Sequence, residues 1–239
     1  MGFGARGAVF DTDGVLTDTA SLHAQAWRRT FDGYLRERAQ RLGEEPPRPF
    51  DPRRDYLSLI DGRSREDGAA AFLESRGIHL AGPDELRALT DRKDAAFMEL
   101  LRTQGARPYP SSLDFVRSLR RAGVPTAVVS ASRHCREVLE SAGAAGLFDV
   151  RVDGIDAARL KLPGKPDPAL FLEAARRLGT EPGRTLLVED AIAGVSAGRR
   201  GGFHPVVGLD RGAGESALLE AGADRVVEDL AELGEEAAR

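Results

Sequence analysis

Hydrophobic residues are spaced differently in different stretches of this chain. Ala8-Val9-Phe10 is a short apolar run closed by Asp11-Thr12-Asp13-Gly14, which predicts a buried strand running into a loop. Over residues 19–104 the apolar positions recur at helical spacing instead. This predicts helices over 20–42, 64–76 and 83–101, with Trp27 and Phe31 at i and i+4. Ser64-Arg65-Glu66-Asp67 resembles a capping box with Asp67 in place of Glu or Gln, so Ser64 is expected to cap the second of these helices. Between the first two lies Glu44-Glu45-Pro46-Pro47-Arg48-Pro49-Phe50, whose prolines predict a loop.

After Pro108-Tyr109-Pro110 the pattern becomes a regular alternation of helix and strand. Helices are expected over 112–122, 133–142, 168–178, 192–199 and 216–221, and strands over 126–129, 148–152, 185–188, 205–207 and 225–227. Gly123, Gly143, Gly179 and Gly222 stand where helices should end. Runs such as Ala127-Val128-Val129 and Leu186-Leu187-Val188 are apolar on both faces, as central parallel strands covered by helices on each side must be. The expected architecture is α/β: a Rossmann-like, doubly wound parallel sheet built from residues 1–18 and 105–239, with a helical domain, 19–104, inserted after the first strand.

Composition narrows the function. A chain of 239 residues accommodates one α/β domain carrying a smaller insert, and its formal net charge of −4 lacks the basic excess that nucleic-acid binders use. The first residues have no apolar leader, and no window is apolar enough to span a membrane. A cytoplasmic monomer with a small soluble partner is the expectation. The single Cys135 allows no internal disulfide and is expected to be a small, semi-buried helix residue. Of 34 basic residues, 31 are Arg and three are Lys, at 93, 161 and 165. Against that background a retained Lys marks a position where a compact ammonium suits better than a planar fork, which makes Lys93 and Lys165 site candidates.

In open parallel sheets ligands bind beyond the carboxyl ends of the strands, and four polar clusters follow strands or precede helices there. They are Asp11 with Asp13, Ser130-Ala131-Ser132-Arg133-His134, Gly164-Lys165-Pro166-Asp167, and Glu189-Asp190. Carboxylates at that density require a cation, and a sparse set of hard oxygen ligands suits Mg²⁺. The Ser130 or Ser132 hydroxyl, the amides that follow Ser132 and the Lys165 ammonium could bind phosphoryl oxygens. Each cluster alone is a common feature of loops; their order and their placement at strand ends point to phosphoryl transfer.

Phe10-Asp11-Thr12-Asp13-Gly14-Val15-Leu16-Thr17-Asp18-Thr19, Ser130, Lys165 and Glu189-Asp190 resemble, in order, the four motifs of the haloacid dehalogenase superfamily. More narrowly, the chain is similar to the β-phosphoglucomutase-like subfamily. That likeness runs through Asp18-Thr19-Ala20 with His23 and Trp27, Gly62-Arg63-Ser64-Arg65-Glu66-Asp67, Arg92-Lys93, Val129-Ser130-Ala131-Ser132 and Gly164-Lys165-Pro166-Asp167-Pro168. It differs at Asp61, where the subfamily has Lys, and at His134, where Asn is usual.

The resemblance implies that Asp11 is a nucleophile forming an aspartyl phosphate and that Asp13 is a general acid and base. It implies Mg²⁺ held by Asp11, the Asp13 carbonyl and Asp190 with Glu189 close by, and a transferring phosphoryl group bound by Ser130, the Ala131 amide and Lys165. Arg65, Ser132, Arg133 and His134 would bind a second phosphate, while His23 and Lys93 would link closure of a helical cap to the placing of Asp13. The expected activity is interconversion of hexose 1-phosphate and 6-phosphate, with hydrolysis of small sugar phosphates as the alternative. Dehalogenation would give Asp13 no role, and a non-catalytic binding module would not need Asp11, Asp13, Lys165 and Asp190 together.

Overall fold

The computed structural model describes residues 4–80 and 82–238, and the chain divides into two compact units, Met1–Asp18 with Ala106–Arg239, and Thr19–Gly105. The second unit is helical. Helix α1 (Ala20–Leu42) places Trp27, Phe31 and Leu35 on one buried stripe, as residues four apart must lie. Phe31 sits at the centre of the core: its ring stacks on Trp27 at 4.6 Å and on Phe72 of α2 (Arg65–Ser75) at 3.9 Å, and meets Phe50 at 5.3 Å. Phe50 comes from the end of the proline-rich loop, whose backbone is pinned where the Phe50 N–H donates to Asp32 Oδ1 at 2.9 Å. Leu89 of α3 (Pro83–Gln104) joins the same core.

Ser64 caps α2, its Oγ accepting the Asp67 N–H at 3.1 Å. The Asp67 carboxylate accepts back from the Ser64 hydroxyl at 2.7 Å, an arrangement that suits the shorter acid side chain. One turn of π-helix over Tyr56–Ile60, closed by Asp61 N–H to Tyr56 O at 2.9 Å, had no signal in the pattern.

The first unit holds six parallel strands, β1 (Gly7–Asp11), β2 (Thr126–Val129), β3 (Val150–Val152), β4 (Thr185–Glu189), β5 (Val206–Leu209) and β6 (Arg225–Val227), in the order β3-β2-β1-β4-β5-β6. Phe10 lies beside Val128 on one side and Val188 on the other, so the centre of the sheet is apolar on both faces. Helices α4 (Pro110–Arg121), α5 (Cys135–Ser141), α6 (Gly154–Leu160), α7 (Ala169–Leu178), α8 (Ile192–Arg200) and α9 (Glu215–Glu220) complete the doubly wound fold. On one face Leu170 and Phe171 of α7 and Val195 and Ala197 of α8 pack with Val9, Val129, Leu187 and Val206.

The apolar pattern predicts no helix at α6; Asp153 caps it, accepting the Ile155 N–H at 2.9 Å. Strand β3 begins only at Val150, two residues later than the pattern suggested. Cys135 is fully buried rather than half-buried, and burial pushes its thiol well above the usual range, which disfavours the thiolate. No helix among the described residues is long and apolar enough to cross a membrane. The winding runs from β1 outward through β2 to β3 and restarts at β4 on the other side of β1. The ligand crevice of such a sheet opens at this switch, beyond Asp11 and Glu189.

Because Phe31 touches three other rings with no solvent exposure, Phe31→Ala is expected to cost about 3–5 kcal/mol of stability. Urea unfolding followed by circular dichroism measures this, and a loss below about 1 kcal/mol would show that Phe31 does not organise that core.

Candidate active site

Strand β1 delivers Asp11 to the switch point and β4 delivers Glu189, with Asp190 next in the chain. All three are buried, and one carboxylate oxygen from each lies within 4.8 Å of the others. Lys165, from the turn before α7, places its ammonium between two of them, donating to Asp11 Oδ1 at 2.5 Å and Glu189 Oε1 at 2.5 Å. Its Nζ also lies 4.8 Å from the centre of the Phe171 ring, so it is enclosed by acids and an aromatic face.

The second Asp11 oxygen, Oδ2, accepts the Asp13 N–H at 3.0 Å, which bends the chain after β1. Ser130, leaving β2, donates its hydroxyl to Asp13 Oδ2 at 3.2 Å and accepts the Ser132 N–H at 3.0 Å. Ser132 Oγ in turn accepts the His134 N–H at 3.1 Å. Asp11, Asp13, Ser130, Ser132, Lys165, Glu189 and Asp190 therefore form one connected constellation in the first unit, with Ala131 in the chain between the two serines. Arg133 is exposed beside it, and His134 is half-buried with Nδ1 3.9 Å from Glu137.

The remaining candidates belong to the helical unit. Lys93 Nζ lies 2.8 Å from His23 Nδ1, and the His23 ring stacks on Phe97 at 4.0 Å. Lys93 also lies 4.9 Å from the Phe97 ring centre and 5.5 Å from that of Trp27, so both polar groups are held by aromatic faces. Arg65 donates to Glu66 at 3.0 Å and pairs with Asp94, the neighbour of Lys93, at 3.1 Å. An anion recruited by Arg65 would compete with those two carboxylates.

Burial pushes the Asp11 carboxyl up to about 8, with Glu189 and Asp13 adding to the rise and Lys165 opposing it. The same acids hold the Lys165 ammonium above the usual range despite its burial. One ammonium leaves a buried group of three carboxylates with surplus negative charge, and a divalent cation on their hard oxygens would relieve it. The residues fit such a metal.

Two glycines make room for the acids. A Cβ on Gly194 of α8 would stand 1.8 Å from Glu189 Oε1, and one on Gly14 would stand 1.8 Å from Asp190 Oδ2. Gly14 also has a positive φ of 86°, which the sharp turn after Asp13 requires. The sequence does not single out Gly194, because a glycine inside a helix carries no mark of what approaches it. The loop after β5 carries a comparable signal in the sequence, since Asp210-Arg211 follow a strand as the other clusters do; Arg211 Nε donates to Gly14 O at 3.0 Å.

A doubly wound sheet whose switch point carries a buried Asp–Lys–Glu cluster and an Asp-x-Asp turn defines an α/β enzyme of phosphoryl transfer. The chain belongs to the haloacid dehalogenase-like hydrolase family, whose family model matches residues 5–202. A β-phosphoglucomutase of Mycobacterium bovis is 45% identical over 239 residues, covering 95% of this chain and 91% of that protein. A validoxylamine A 7'-phosphate phosphatase of Streptomyces hygroscopicus subsp. limoneus is 30% identical over 228 residues, covering 95% of this chain and 94% of its own. Among solved structures, a β-phosphoglucomutase of Clostridium difficile matches with a TM-score of 0.77 at 25% identity, over 96% of this chain and 93% of that one.

The close approach at Gly194 predicts a reversal of the ordinary rule for helices. At Gly33 in α1 a Cβ would meet nothing within 4 Å, so Gly33→Ala is expected to add stability by about 1 kcal/mol. Gly194→Ala is expected to remove about 1–3 kcal/mol and to displace Glu189 from Lys165. Thermal unfolding of both variants tests this; a stabilised Gly194→Ala would mean that Glu189 has another place to go.

Proposed function

We propose that this chain is a Mg²⁺-dependent sugar phosphomutase of the β-phosphoglucomutase type, interconverting hexose 1-phosphate and 6-phosphate through a phosphorylated Asp11. The observation that carries the reading is the 45% identity with a β-phosphoglucomutase along nearly the whole chain. In this reading Asp11 attacks phosphorus while Asp13 protonates the departing sugar oxygen. Phosphorylated Asp11 then passes the phosphoryl group to the free hydroxyl of a hexose monophosphate, whose proton Asp13 takes, and the bisphosphate so formed turns round to offer Asp11 its other phosphorus. Ser130, the Ala131 amide and Lys165 hold the phosphoryl oxygens, a role favoured by the direct placing of Lys165 against Asp11. Mg²⁺ held by the Asp11 and Asp190 carboxylates and the Asp13 carbonyl, with Glu189 nearby, would neutralise phosphoryl charge.

The helical unit serves as a cap. Arg65, with Ser132, Arg133 and His134, binds the distal phosphate, and His23 with Lys93 ties the cap to the placing of Asp13. A second reading, hydrolysis of small sugar phosphates, is favoured by the phosphatase relative of equal coverage and by the pairing of Arg65 with Glu66 and Asp94. The two readings differ in whether water or a sugar hydroxyl attacks phosphorylated Asp11.

Asp11→Asn keeps the shape and loses the nucleophile, so phosphoryl transfer is expected to fall by about 1,000-fold or more with the fold intact. A chelator should abolish wild-type turnover and Mg²⁺ restore it; metal-independent activity would overturn the cofactor assignment.

Supplied with β-glucose 1-phosphate and a catalytic amount of sugar bisphosphate, the protein is expected to form glucose 6-phosphate. Arg65→Ala should lower that flux by about 30-fold to 1,000-fold while hydrolysis of an aryl phosphate changes little. Release of inorganic phosphate with no glucose 6-phosphate would establish the phosphatase reading instead.

A further inference from the structure

The turn that carries Asp13 is closed within itself by three backbone bonds. Gly14 N–H donates to Thr17 O at 2.8 Å, and the Leu16 and Thr17 N–H groups donate to Thr12 O at 3.0 and 3.1 Å. The outward carbonyl of Gly14 is held from far along the chain, by Arg211 in the loop after β5. That loop is itself anchored: Asp210 N–H donates to Val227 O at 2.8 Å, and Asp210 Oδ1 accepts from Gly212 and Gly214 at 2.8 and 3.0 Å.

The Arg211 guanidinium is gripped on three sides. Nε donates to Gly14 O at 3.0 Å, Nη1 donates to Glu228 O at 3.1 Å, and Cζ lies 3.9 Å from the centre of the Tyr109 ring. Nη2 is shielded from solvent and meets no acceptor among the described residues. An arginine placed only for solubility would turn that nitrogen to water, because a buried donor left unmade is costly. The rigid fork is kept here for the two carbonyls and the ring, a task a lysine could perform only in part.

Gly14 is a short lever. It follows Asp13 directly, and its α-carbon faces Asp190 so closely that a Cβ would overlap the carboxylate. The Gly14 backbone is thus joined to Asp13 on one side and stands against the Asp190 carboxylate on the other.

We infer that Arg211 is a positioning residue: by fixing the Gly14 carbonyl it sets where Asp13 and Asp190 stand relative to Asp11. The inference rests on the reading of Asp13 as the general acid and base. Displacement of a reacting group by about 1 Å can cost about 100-fold in rate, so a residue that touches no substrate can still govern turnover.

The test compares wild type with Arg211→Met and Arg211→Lys in Mg²⁺-supported hydrolysis of an aryl phosphate, a reaction common to mutase and phosphatase. Arg211→Met is expected to lower kcat by about 10-fold to 100-fold with KM within about threefold, because the loop is misplaced while phosphate binding is retained. Arg211→Lys, which keeps one donor and a cation over Tyr109, should fall between Met and wild type. Amide exchange at residues 14–17, read by mass spectrometry on the same proteins, should accelerate in Arg211→Met while exchange in β2 and β3 does not. Should the Met variant not fold, Arg211→Gln carries the same readouts. A kcat within about twofold of wild type in a folded Met or Gln variant overturns the inference, as does unchanged exchange at residues 14–17. If wild type turns over no phosphate ester, the functional reading fails; the exchange measurement still decides whether Arg211 holds the turn.

Discussion

One ammonium, Lys165, enclosed with Asp11 and Glu189 at the centre of a parallel sheet, is the interaction around which the first unit is arranged. Two carboxylates buried this closely would otherwise repel each other or take up protons, and removing one partner of a buried pair leaves an uncompensated charge. The neighbouring elements are shaped to keep the group together. Helix α8 passes Glu189 without a side chain at Gly194, and the turn after β1 passes Asp190 without one at Gly14. The Ala191 N–H occupies the other Glu189 oxygen at 2.6 Å, so that carboxylate has little freedom to turn away. Charge held in this manner keeps Asp11 in the crevice with one oxygen on Lys165 and the other on the Asp13 amide.

Much of this arrangement can be read from the order of residues, because strand ends in a doubly wound sheet are fixed by apolar runs that are easy to see. Ala8-Val9-Phe10 and Leu186-Leu187-Val188 mark β1 and β4, and the acids that follow them must emerge at the same edge once the strands are parallel. The scarcity of lysine was also informative: Lys93 and Lys165 are both buried among aromatic or acidic partners. Lys161, by contrast, is exposed and ends α6 in the left-handed conformation.

Other features left no trace in the pattern. The π-turn over Tyr56–Ile60 is too short to display a period, and α6 exposes Ile155 and Leu160, apolar residues that in an amphipathic helix would point inward. The pairing of Lys165 with both Asp11 and Glu189, the passage of Gly194 against Glu189, and the reach of Arg211 to Gly14 join residues far apart in the chain. Such relations are properties of the folded neighbourhood, so strand and helix spacing could indicate where the acids emerge but not which groups make room for them or hold them.

The way the chain leaves and re-enters the first unit has a consequence of its own. Thr17 bridges Pro108 antiparallel, and the Asp18 N–H donates to Arg107 O at 2.8 Å, so the two crossing segments are hydrogen-bonded before the helical unit begins. These bonds bring the two ends of the excursion over residues 19–105 together within the first unit. The entropy of closing that long excursion is met at its base, and it grows only slowly with length. The base thus works as a socket, in which the first unit's own backbone fixes where residues 19–105 leave and return.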